Sequence, residues 1–97
     1  MGTYVILVKY TEQGIRNIKD SPARLDAAKQ AFQAMGAQLS QWFLVLGRYD
    51  AIVIGQAPDD ETVAKLALAI GSQGNVRTET LRAFTEDEYR KIIAALP

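Results

Sequence analysis

The chain opens on a run with almost no polar interruption. Thr3–Tyr10 is β-branched and aromatic, and both alternating rows, Tyr4-Ile6-Val8-Tyr10 and Val5-Leu7-Lys9, are mostly apolar. That pattern predicts a strand covered on both faces, hence a central one. The period then changes. Thr11 suits the N-cap of a short helix in which Ile15 and Ile18 share a face. Asp20-Ser21-Pro22 interrupts it, and Ser21 as N-cap with Pro22 in the first helical position marks a new helix. Leu25, Ala28, Phe32 and Met35 recur at three- and four-residue spacing, one apolar stripe that closes at Gly36.

Leu39–Leu46 reads as a second strand, and Gly47-Arg48-Tyr49 as a tight turn into a third, Asp50–Gln56. Pro58-Asp59-Asp60-Glu61 opens a helix with acids in its first turn, where the helix dipole favours them, and Val63, Leu66, Ala67 and Ile70 form its inner stripe. Gly71 and Gly74 loosen its end. Val76–Phe84 is a fourth strand. Thr85 and Glu88 stand at capping-box spacing before a final helix lined by Tyr89, Ile92, Ile93 and Leu96. The order βαββαβ plus a terminal helix predicts an α+β fold. One ferredoxin-like domain spans residues 1–97, with two helices on one face of an antiparallel sheet.

Two helices cover only one face of four strands. The third strand alternates Ala51, Val53, Gly55 against Ile52, Ile54, and neither row is polar. A solvent-facing row should be polar. The second face is therefore expected to be covered, in part by the C-terminal helix and in part by another copy of the chain, most simply about a two-fold axis.

Composition narrows the chemistry. The chain has no cysteine and no histidine, which removes disulfides, thiolate zinc sites, a cysteine nucleophile and the commonest neutral-pH base. No cofactor and no metal is expected. Eleven basic residues balance eleven acidic ones without a basic run, so nucleic-acid binding is disfavoured. The first apolar run ends at Lys9, too short for a secretion signal, and no stretch reaches membrane-spanning length. A cytoplasmic location with no membrane partner is the expectation.

The segments Thr11-x-x-Gly14-Ile15-Arg16, Gly47-Arg48-Tyr49-Asp50, Ala57-Pro58-Asp59-Asp60 and Gly74-Asn75-Val76-Arg77-Thr78-x-Thr80-Leu81-Arg82-Ala83-Phe84 resemble the GYD-domain family over almost the whole chain. The resemblance implies a dimeric α+β barrel, in which two open sheets face each other, and no established activity. The ligand-sensing domains of leucine-responsive-type bacterial regulators are similar in element order and in a Gly-x-Tyr-Asp turn. There, effectors bind near subunit interfaces. This chain lacks their helix-turn-helix segment.

The candidate ligand-binding residues are Arg16, Tyr49, Asp50 and Arg77. Asp50 either holds backbone amides at the turn or, if burial raises its pKa, serves as a base at a pocket rim. Tyr49 either packs and bonds through its hydroxyl or borders the same pocket. Arg16 is either a solvated helix residue or an anion clamp. Arg77 and Arg82 fall on opposite faces of one strand, each suited to an ion pair with Asp50, Glu79 or an acid of a partner chain. Trp42 belongs to the core, an interface or a cavity wall. Gly71-Ser72-Gln73-Gly74 follows a helix, whereas a phosphate loop opens one. Two functions fit these residues. One is a homo-oligomeric module that binds a small molecule or another protein. The alternative, by fold analogy, is a cofactor-independent monooxygenase- or isomerase-like enzyme, disfavoured by the missing histidine.

Overall fold

A computed structural model describes residues Met1–Pro97. The strands are β1 (Gly2–Tyr10), β2 (Gln38–Leu44), β3 (Ala51–Ala57) and β4 (Val76–Ala83); the helices are α1 (Glu12–Arg16), α2 (Ser21–Ala34), α3 (Asp60–Gly71) and α4 (Glu86–Ala94). All four strands form one sheet in the order β2-β3-β1-β4, with every neighbouring pair antiparallel. This is the ferredoxin-like arrangement, and β1, apolar on both rows, is indeed an inner strand.

Local chemistry moves several boundaries. β2 stops at Leu44 because its partner starts only at Ala51. The link between them is six residues. Gly47 turns it at φ +122°, and the Val45 amide closes it on the Asp50 carbonyl at 2.9 Å. Leu46, expected in the strand, is 96% exposed. α1 ends at Arg16, and a 3-10 turn over Ile18–Asp20 leads into α2. The change of helical pitch breaks the face that Ile15 and Ile18 would have shared, and both remain exposed. Ser21 lies inside α2 and caps nothing; its hydroxyl faces the Tyr10 hydroxyl at 3.3 Å. Gly36 leaves the helix at φ +74°, in the left-handed region that glycine tolerates.

The core lies between the sheet and helices α2 and α3. Tyr4, Ile6 and Val8 of β1 and Ala51, Val53 and Ala57 of β3 bury their side chains there, against Phe32 of α2 and Val63 and Leu66 of α3. Gly55 admits the Phe32 ring. A Cβ at that position would lie 3.3 Å from the ring and 2.9 Å from the Gln38 carbonyl.

On the other face, the register lines up two rows that are apolar at three of their four positions. One runs Gln41-Ile54-Val5-Leu81 and the next Phe43-Ile52-Leu7-Glu79. No element of the chain covers them. The expectation that the C-terminal helix would do so is corrected by its position. α4 has the anticipated capping box between Thr85 and Glu88, yet none of its residues is buried, and Tyr89, Ile92, Ile93 and Leu96 face solvent. The molecule measures 52 × 31 × 18 Å. Its least dimension fits one sheet and one helical layer, each about 10 Å thick.

Candidate functional site

Residues of three of the four sequence segments meet at the end of the sheet where β1 runs into α1, whereas Ala57 and Ala83 pair with Gly2 and Thr3 at the other end. Thr11 caps α1 by accepting the Gly14 amide proton at 3.1 Å. The same hydroxyl donates to the Gly74 carbonyl at 2.6 Å, and the Thr11 amide donates to the Asn75 carbonyl at 3.0 Å. Gly14 is buried against that turn. A Cβ on it would fall 2.0 Å from the Asn75 oxygen, so only glycine fits. Gln13 reaches the Gln73 carbonyl at 3.1 Å and the Asn75 side chain at 3.0 Å. Asp50 ties in from the residue before β3, its carboxylate accepting the Tyr10 amide proton at 2.8 Å and its own amide donating to the Val8 carbonyl at 2.8 Å. Asp50 therefore locks β3 to the end of β1.

Beneath this knot, between the sheet, α2 and α3, lies a cavity of about 170 Å³. Its floor is Ile6, Val8, Ala51 and Val53, and Trp42 stands in its wall. α2 and α3 turn alanines toward it (Ala28, Ala31, Ala69), where longer side chains would fill the space. Ala27, Ala69 and Gln73 are its most exposed lining residues, which places the mouth between the first half of α2 and the end of α3. The polar residues of the lining are Tyr10, Ser21, Arg24, Gln73, Asn75 and Thr78. Arg24 donates to the carbonyls of Asn17 at 3.0 Å and Gly14 at 3.5 Å. Arg24, Tyr10 and Ser21 were not among the sequence candidates. The available signal was Arg24 one residue before Leu25 at the head of the α2 stripe, with Ser21 one turn earlier.

The four sequence candidates occupy other places, and none lines this cavity. Tyr49 donates to the Glu79 carboxylate at 3.0 Å, a bond that raises its phenol pKa above the ordinary 10.0 by favouring the protonated form. Arg77 stands on the same row of β4 as Glu79, opposite Lys9 of β1. Tyr49, Glu79, Arg77 and Lys9 thus make a polar edge to the uncovered apolar face. Asp50 is engaged with β1. Arg16 pairs with Glu12 at 3.4 Å on the outer side of α1, both side chains well exposed. No hydrogen bond or ion pair joins Arg16 to the other three. Arg82 forms no ion pair. Its guanidinium lies over the rings of Tyr4 at 5.3 Å and Phe84 at 4.6 Å. The Tyr4 hydroxyl donates to Asp60 at the head of α3, and chiefly for that reason its pKa is raised.

Fold and site define a small α+β protein with one helical layer, a cavity under that layer and an open apolar sheet face. The chain belongs to the GYD domain family, whose pattern it matches over residues 4–93. A relative from Thermus thermophilus, named glutamine synthetase and cystathionine beta-lyase binding protein, is 32% identical over 84 residues. The match covers 86% of this chain and 88% of that protein. Among solved structures, TTHA0845 from Thermus thermophilus is 26% identical with a TM-score of 0.56, the match covering 88% of this chain and 95% of that one. The feast or famine regulatory protein of M. tuberculosis, solved in complex with L-methionine, has a TM-score of 0.63. At 18% identity, over 90% of this chain and 54% of that one, the likeness is one of fold.

Proposed function

We propose that this GYD-family protein is a homo-oligomeric interaction module, paired through the uncovered face of its sheet. The observation that carries the reading is the pair of apolar cross-strand rows with no covering element, on which Phe43 and Leu81 are half exposed. Water against such rows is costly, at roughly 25 cal/mol per Å² of apolar surface. The polar edge of Tyr49, Glu79, Arg77 and Lys9 suits the rim of an interface. In that role Tyr49 and Arg77 contact a partner copy, and Asp50 fixes the strand that presents them.

Magnitude brings α4 into the same interface. Four strands about 4.8 Å apart and seven residues long project roughly 450 Å². A stable interface takes about 800 Å² from each partner. The apolar side of α4 supplies the remainder by reaching across to the second copy. The Thermus relative is named for binding two enzymes, which supports a module that works by docking to proteins.

The test is Ile54→Lys, which places a charge in the middle of an apolar row beside Val5. Size-exclusion chromatography with light scattering should show the wild type as an oligomer and the variant as a monomer of unchanged circular dichroism. An Ile54→Lys protein that keeps the wild-type mass would contradict this interface.

A further inference from the structure

We infer that the cavity under α2 and α3 is a binding site for a small monocarboxylate with a branched or aromatic body. The body lies among the alanines of the helices, and the carboxylate rests on Arg24 with the Tyr10 and Ser21 hydroxyls. This goes beyond the self-association reading and does not depend on it, because the cavity lies on the opposite side of the sheet from the apolar rows.

Size comes first. The space of about 170 Å³ opens to solvent between α2 and α3 and is lined mostly by apolar side chains. A dry apolar cavity of about 150 Å³ accepts benzene. The space here takes a body of about six to nine carbons on that scale. Its lining is mostly apolar with a few polar residues, the usual composition of a ligand pocket.

Charge comes second. Arg24 is the sole charged residue of the lining, and no carboxylate borders the cavity. The chain's ion pairs are Glu12–Arg16, Glu61–Lys65 and Glu86–Arg90, so Arg24 has no acidic partner. Its guanidinium carries five N–H donors, and two carbonyls engage only part of them. Those carbonyls also hold the group in place, which lessens the ordering needed when an anion arrives. The Tyr10 and Ser21 hydroxyls, 3.3 Å apart, and the Thr78 hydroxyl add rotatable donors. A planar carboxylate is an anion that a guanidinium fork matches bidentately.

Trp42 makes the inference directly measurable, since it is the chain's one tryptophan and stands in the cavity wall. The probes are 3-phenylpropanoate and its uncharged primary amide, titrated at neutral pH while Trp42 emission is followed. The expected result is a saturable change for the acid, half-complete at or below about 1 mM, with the amide at least about fivefold weaker. Arg24→Gln should weaken the acid more than the amide and bring the two to similar affinities. Arg24→Lys should keep part of the preference. Ala31→Leu should abolish the response to both probes while leaving the oligomeric mass unaltered. Absence of saturation by the acid in the wild type would overturn the proposal, as would equal affinity for acid and amide. The wild-type comparison decides the matter even if the Arg24 variants fold poorly.

Discussion

Two glycines on helices show how much a single position depends on its surroundings. Gly14 in α1 and Gly71 at the end of α3 would ordinarily respond alike to alanine, which favours a helix by about 0.5–1 kcal/mol over glycine. At Gly71 nothing lies within 4 Å of the added Cβ, and Gly71→Ala should raise the melting temperature by a few degrees. At Gly14 the Cβ meets the Asn75 carbonyl at 2.0 Å, and Gly14→Ala should instead destabilise the protein by at least about 2 kcal/mol. Thermal melts of both variants check the opposite signs. Asp50 and Arg16 form a second contrast. Asp50→Ala leaves the Tyr10 amide without its acceptor and should cost about 1–3 kcal/mol in a urea titration. Arg16→Ala removes only an exposed pair and should stay within about 0.5 kcal/mol. The sequence showed that Thr11, Gly14, Asp50, Gly74 and Asn75 stood out. It could not show that they form one knot, because residues some sixty apart in the chain meet only once the sheet has formed.

At the scale of elements, periodicity located every strand and helix of the sheet and core, and it failed where hydrogen bonds rather than side-chain pattern set a boundary. The stripe of α2 correctly named Phe32, and that of α3 Leu66; both are buried in the core. Phe32→Ala should destabilise by about 3–5 kcal/mol and Leu66→Ala by about 2–5 kcal/mol in denaturant titrations. The same stripe offered no sign that Ala28 and Ala31 leave a cavity, since alanine reads as apolar whether or not its neighbours fill the space. The helix caps link the elements to pH. Asp59 accepts from the Thr62 hydroxyl and amide, and Glu88 from the Thr85 amide, and these bonds hold both carboxyls below their ordinary values of 3.8 and 4.5. A group with a depressed folded pKa stabilises the fold fully above its unfolded pKa, and the contribution disappears as pH falls through the folded value. Melting temperature should therefore decline as pH drops below about 4.5, and Asp59→Ala should flatten part of that decline.

For the whole molecule, the apolar rows of β1 and β3 predicted a second face covered in part by the C-terminal helix and in part by another copy; the helix buries none of its residues, and Phe43 and Leu81 on that face stay half exposed. The position of α4 was not legible. Its amphipathic pattern and capping box specify a helix, and they are equally consistent with packing on its own sheet or extending beyond it. In the structure none of its residues is buried, and its apolar residues are proposed to join the sheet rows in pairing. Removing the chain from Glu86 onward should weaken self-association at least tenfold while leaving the sheet's circular dichroism in place. Self-association is tested most directly by sedimentation equilibrium of the wild-type protein at about ten micromolar. The expected mass is that of two chains or an even multiple of it. A single species with the mass of one chain would contradict the pairing.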